Sequence, residues 1–323
     1  MQQLLIGFGN RIRVNGLMEE LTVPVDGVRV HYTRAGSGPA LVLVHGLCGS
    51  ARNWDRNIAF LSRFRTVYAI DLVNAGTSER VEGLDARLPA QADRLLAWMD
   101  AVGIDVADVA GHSHGGAIAM VLAARYPDRV RGLALFSPAN PFCTLGHAQM
   151  RFYATPIGSV FAKHVIPMLP RVLHRRSLER MYGDKGRIAE GVLEGYTDGL
   201  DSLAIANILA IMLRWTEDME LLRASLPTLA GVPSLLIWGE RDRAVALDSG
   251  KELARHLGTS LRVVREGGHI VFEELPQVCN PVWAEWLMTR EGTDPVHDGA
   301  NAEIGREVEP ARLRGWSEVE VFG

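Results

Sequence analysis

One rhythm constrains this chain more than any other feature: apolar runs of strand length alternate with stretches spaced like helices. The runs are ALVLVHG (40–46), TVYAIDL (66–72), VADVAG (106–111), VRGLALFSP (130–138), PSLLIWG (233–239) and LRVVREGG (261–268). Continuous apolar character, rather than alternation, belongs to strands covered on both faces. Between them stand LPAQADRLLAWMDAVGI (88–104), with Leu95, Leu96, Met99 and Val102 on one side, GAIAMVLAARYP (116–127), LDSGKELARHLG (247–258) and PVWAEWLMTR (281–290). Strand, helix, strand in repetition predicts an α/β fold with a mainly parallel sheet. An opening pair of strands, LTVPVDGVRVHYTRAG (21–36), turns at Asp26–Gly27.

Two regions break the rhythm. Residues 141–215 carry helical patterns such as RRSLERMYGD and LAIANILAIMLRW with no clear strand. They read as a helical cap inserted between core segments 21–140 and 216–289. Residues 1–20 form an N-terminal extension. Residues 290–323, rich in Gly, Pro and acids, read as a flexible or partner-docked tail whose ending, WSEVEVFG, alternates enough to add a strand. At 323 residues and 47% hydrophobic content, the chain can bury one large core.

The chemistry concentrates in DVAGHSHGG (108–116). Ser113 lies where a strand hands over to a helix, and Gly111-His112-Ser113-His114-Gly115 fits G-x-S-x-G, the nucleophile elbow. Its glycines suit a turn that brings neighbouring backbone very close. A serine hydroxyl is a weak nucleophile until a histidine takes its proton, and that histidine needs a carboxylate to hold its tautomer. WGERDRAV supplies Asp242 just past one strand and GGHIVFEELP supplies His269 after another, both at carboxyl ends. Glu240, Asp248 and the region of Asn140 compete with Asp242 for the carboxylate role. The oxyanion donors are expected to be the backbone amides of His114 and of Leu47 in the loop after ALVLVHG. Blander roles suit the neighbours. His45 packs within its loop, His112 and His114 act as spacers, Cys48 is an apolar filler, Trp54 is a packing anchor, and Glu273 and Glu274 hold the His269 loop.

Through HGLCGSARNW (45–54), DLVNAGTSE (71–79), GHSHGG (111–116), WGERDRAV (238–245) and GGHIVFEELP (267–276), the chain resembles the α/β-hydrolase superfamily. The likeness is to its serine-nucleophile, carboxylesterase- and lipase-like group with a helical cap. The resemblance implies an eight-stranded, mostly parallel sheet, a cap between strands six and seven, and a triad of Ser113, Asp242 and His269. The family's DxxGxGxS segment stands here at 71–78, with Asn74 in place of a glycine. Epoxide hydrolases and haloalkane dehalogenases of this fold carry aspartate at the elbow, so serine argues against both. The expectation is a serine hydrolase that cleaves carboxylic esters with an apolar acyl or alcohol part. Carbon–carbon bond hydrolases of ring-fission products, thioesterases, acyltransferases, cofactor-independent dioxygenases and slow ligand receptors share the fold and stay open as alternatives.

The remaining sequence bounds the partners. A formal net charge of −4 provides no basic footprint for nucleic acid. There is no G-x-G-x-x-G after a strand, no P-loop and no metal-ligand spacing, so no cofactor and no metal are expected. No apolar run has the length of a membrane span, and MQQLLIGFGNRIRVNG lacks the pattern of a secretory leader. Three cysteines without a C-x-x-C pair favour free thiols, hence a cytoplasmic location. The cap stretch RFYATPIGSVFAKHVIPMLPRVLHRR mixes apolar and basic residues. Either it lines an apolar pocket with its cations solvated outside, or it docks peripherally on anionic lipid. The sequence is silent on oligomeric state.

Overall fold

A computed structural model describes residues 11–13, 18–143, 152–153, 155–169, 171–290 and 316–319. One sheet runs through it. Its strands are β1 (Arg11–Arg13), β2 (Met18–Val25), β3 (Val28–Ala35), β4 (Ala40–Val44), β5 (Thr66–Ile70), β6 (Ala107–His112), β7 (Val130–Phe136), β8 (Ser234–Gly239), β9 (Leu261–Val264) and β10 (Trp316–Val319). Their order is β1-β2-β3-β5-β4-β6-β7-β8-β9-β10. From β5 to β9 all neighbours are parallel, while β2, β3 and both edge strands pair antiparallel. The eight strands β2–β9 form the expected mostly parallel sheet.

Apolar runs became central strands for the reason their composition suggests. Every residue of β6 is buried, as are the last four of β4. One face is covered by α2 (Leu88–Ala101), α3 (His114–Arg125), α8 (Trp215–Leu229) and α9 (Leu247–Leu257). Leu95, Trp98, Ile118, Leu222 and Leu253 pack there. On the other face, Ile58 of α1 (Asp55–Leu61) and Trp283 of α10 (Pro276–Thr289) join Trp54, Phe136 and Phe272. Trp54 is the packing anchor expected of it, stacked on Phe272 with centroids 4.0 Å apart. The chain leaves β4 toward β5 on one side and returns to β6 on the other. That reversal opens a crevice at the carboxyl ends of β4 and β6.

Helices α4 (Pro156–Val165), α5 (Arg171–Glu179), α6 (Val192–Thr197) and α7 (Ser202–Leu213) lie between β7 and β8.

Three expectations need correction, and one at the tail is met. The sheet reaches into the N-terminal extension: Arg11–Arg13 pair with Met18–Glu20, since backbone hydrogen bonding extends a ladder beyond any side-chain pattern. The tail's ending adds a strand as its alternation suggested: Trp316–Val319 pairs antiparallel with β9, capping that edge; residues 291–315 lie outside the described residues. On α2 the buried face holds Gln91 and Trp98, while Leu96 and Val102 are only partly covered. Cys48 is exposed rather than a filler.

Candidate active site

The turn between β6 and α3 is made by Ser113 alone, at φ 51° and ψ −121°. Such a conformation costs a non-glycine residue about 1–3 kcal/mol, and surrounding contacts must hold it. Here the Ser113 amide donates to the Phe136 carbonyl at 3.1 Å, and its own carbonyl accepts from Gly116 at 3.0 Å and Ala139 at 2.8 Å. The glycines are there for contact. A Cβ on Gly111 would fall 2.5 Å from the Gly115 oxygen, one on Gly115 2.4 Å from the oxygens of Val44 and His45, and one on Gly116 2.5 Å from Pro138 Cβ.

The loops after β8 and β9 press together, since a Cβ on Gly239 would sit 2.1 Å from the Gly268 oxygen. They bring His269 Nδ1 to 2.9 Å from Asp242 Oδ2, with the Asp242 side chain shielded from solvent and His269 only 7% exposed. Asp242 Oδ1 accepts from the amides of Ala244 at 2.8 Å and Val245 at 2.9 Å. A carboxylate at Nδ1 makes that nitrogen the proton carrier and leaves Nε2 as the basic atom. The rival acids are engaged elsewhere: Glu240 accepts from the Glu266 amide and Asp248 pairs with Lys251. Asn140 is buried and donates to Ser249 and to the Pro138 carbonyl.

Behind the base stands His112, its ring 4.6 Å from that of His269 and its Nε2 3.1 Å from the His269 carbonyl oxygen. Burial holds His112 well below the ordinary imidazole range, so it is neutral and donates through Nε2. The His269 amide in turn donates to Met181 at 2.7 Å, which ties the base loop to the segment after α5.

The loop after β4 closes on Ser113 from the other side: a Cβ on Gly46 would lie 3.1 Å from Ser113 Cβ. His45 packs within this loop as expected. Its Nδ1 donates to the Gly46 carbonyl at 2.8 Å and its Nε2 accepts from the Leu72 amide at 3.1 Å. Leu47 and His114, whose amides donate to no other group among the described residues, border a cleft. Leu72, Leu200, Ile208 and Ile211 supply its apolar lining. Asn74, also on the rim, adopts φ 69° and holds Val81 through both of its backbone groups, at 2.6 and 3.0 Å. Asparagine tolerates this left-handed region, so it can stand where the DxxGxGxS pattern has a glycine.

Two contributors escaped the sequence reading. Gln91 donates to the Ala86 carbonyl at 2.6 Å and accepts from His114 Nε2 at 3.0 Å, which sets the His114 tautomer. Burial pushes His114 down to about 3, so it is neutral. The available signal was a glutamine on the buried face of a helix. Glu273, expected only to hold its loop, also accepts from Tyr182 at 2.9 Å, Tyr196 at 2.8 Å and Asn53 at 3.3 Å. Tyr196 of α6 lines the cleft, so this buried carboxyl joins α6 to the base loop. Among the described residues no cluster of three or more His, Cys, Asp or Glu is arranged to hold a metal.

Sheet order, crevice and elbow define a class, and comparison agrees. The family described as alpha/beta hydrolase fold matches residues 39–156. The chain has the α/β-hydrolase fold. It is similar to the dihydrolipoyllysine-residue acetyltransferase component of an acetoin cleaving system from Cupriavidus necator, 29% identical over 76% of this chain and 63% of that longer protein. An uncharacterized hydrolase of Bacillus subtilis, YugF, is 29% identical over 81% of this chain and 96% of its own length. Among solved structures, a 2-hydroxy-6-oxo-6-phenylhexa-2,4-dienoate hydrolase from Rhodococcus sp. strain RHA1 superposes with a TM-score of 0.70 at 23% identity, over 84% of this chain and 99% of that one.

Proposed function

We propose that the chain is a serine hydrolase of carboxylic esters whose acyl or alcohol part is apolar. The observation that carries this reading is Ser113 on a strained turn at φ 51°, closed in by the loop of Leu47, with a His269–Asp242 pair of 2.9 Å on the neighbouring loops. A strained serine with nothing to activate it would be a cost without a use.

In this reading the Ser113 hydroxyl oxygen attacks the ester carbonyl while His269 Nε2 takes its proton. Asp242 keeps the imidazole in the right tautomer and stabilises its charged form. Negative charge on the carbonyl oxygen is met by the amides of Leu47 and His114. The intermediate collapses, the alkoxide leaves with the proton from His269, and the acyl group stays on Ser113. Water repeats the sequence with His269 as base, releasing the acid and restoring the hydroxyl. Leu72, Leu200, Ile208 and Ile211 support an apolar substrate portion. Residues 141–215 serve as the cap over the core segments 21–140 and 216–289, and the three free cysteines support a cytoplasmic location.

The test is hydrolysis of p-nitrophenyl esters from acetate to laurate by wild type and Ser113→Ala. A chain-length optimum that vanishes in the variant supports the reading. Inactivity on every ester, together with bleaching of a ring-fission dienol, would move the reaction to carbon–carbon hydrolysis. Oxygen uptake with a ring substrate, surviving Ser113→Ala, would make it a dioxygenation.

A further inference from the structure

Helix α4 is amphipathic the wrong way round. Its small residues Gly158 and Ala162 are buried, with Ala162 packed on Ile205 and Leu209. Its large ones, Ile157, Val160, Phe161 and Val165, are exposed, at i, i+3, i+4 and i+8. The pattern continues past the helix end. Met168 is 83% exposed, Ile157 79%, and eight of the twelve exposed large apolar side chains among the described residues fall within residues 152–173. Single exposed apolar residues are ordinary; a contiguous face of them marks a docking surface.

Charge identifies the occupant. Between Thr155 and Arg180 the sequence holds five Lys or Arg residues and one acid, on a chain whose formal net charge is −4. Arg175 and Arg176 are exposed on α5, beside exposed Val172 and Leu173. A second copy seated on this face by a two-fold axis would set these cations against themselves, which disfavours association. A basic rim around apolar side chains suits anionic headgroups over acyl chains.

We propose that the face formed by α4, the turn at Met168 and the start of α5 docks on an anionic lipid surface. The placement has a use. A cavity lined by Lys163 and His164 shares Asn74 and Asn207 with the cleft beside Ser113, so the docked face adjoins the cleft wall. Amphipathic molecules held in the lipid would meet the cleft from that side. The docking itself stands independently of the ester reading.

The experiment is flotation with phosphatidylcholine vesicles, with and without phosphatidylglycerol, at low and high salt. Wild type is compared with Ile157→Ser/Met168→Ser and with Arg175→Gln/Arg176→Gln. Wild type is expected to float with the anionic vesicles only, and high salt to weaken this. The apolar pair should lose about tenfold or more in binding and the cationic pair about twenty-five-fold, at roughly fivefold per cation. Thermal melts of both variants should match wild type, because all four side chains are exposed. Short soluble p-nitrophenyl esters, if hydrolysed, should be turned over equally by all three proteins, which separates docking from chemistry. Absence of wild-type binding to either vesicle overturns the proposal. So does a self-association in sedimentation that Ile157→Ser/Met168→Ser abolishes, which would assign the face to a second copy.

Discussion

His269 and Asp242 meet through one hydrogen bond of 2.9 Å, Nδ1 to Oδ2, while the other carboxylate oxygen is already held by the amides of Ala244 and Val245. Those two amides leave the side chain no freedom to rotate. Asn at position 242 would keep its oxygen on them and turn its NH2 toward His269. The imidazole would then have to accept at Nδ1 and carry its proton on Nε2, where it cannot take one from Ser113. Asp242→Asn is therefore expected to lower kcat by about 10⁴ with an unchanged circular dichroism spectrum. A variant that turns over esters near the wild-type rate would remove Asp242 from the mechanism.

The elbow and the two loops were legible because each is encoded locally. A glycine beside Ser113, or before His269, is imposed by backbone a few ångströms away, as the 2.4 Å approach of Gly115 to the Val44 and His45 oxygens illustrates. The strands were legible because burial on both faces requires unbroken apolar runs. Contacts between distant segments were not. Tyr196 and Glu273 lie 77 residues apart, and nothing near either names the other. The reversed α4 was half legible. Its composition suggested two orientations, and only the packing of Ala162 against Ile205 and Leu209 decides which side faces out.

That Tyr196–Glu273 contact carries a pH dependence. Burial pushes the Glu273 carboxyl from 4.5 up to about 7, against hydrogen bonds from Tyr196, Tyr182 and Asn53 and the charge of Arg56, which lower it. The folded chain thus holds a proton that the unfolded chain releases. The associated stability is complete below the ordinary value and is lost as pH rises through the folded one, about 3 kcal/mol in all. Glu273→Gln cannot titrate. Melting temperatures measured from pH 5 to 8.5 should therefore show wild type falling relative to the variant as pH rises. Parallel curves would mean that Glu273 stays ionised throughout.

Asn74 offers a test of how an asparagine holds a left-handed turn on the cleft rim. Its φ of 69° asks for glycine or asparagine, and its side chain adds two hydrogen bonds to Val81. Asn74→Gly keeps the backbone at ease and loses only those bonds, about 1–2 kcal/mol for a buried site. Asn74→Ala loses the same bonds and must also force a Cβ into the left-handed region, about 1–2 kcal/mol more. Urea unfolding should therefore rank wild type above Asn74→Gly and Asn74→Ala last, with equal m-values. If alanine proved as stable as glycine, the loop would have relaxed its φ, and the left-handed turn would not be what holds the rim of the cleft.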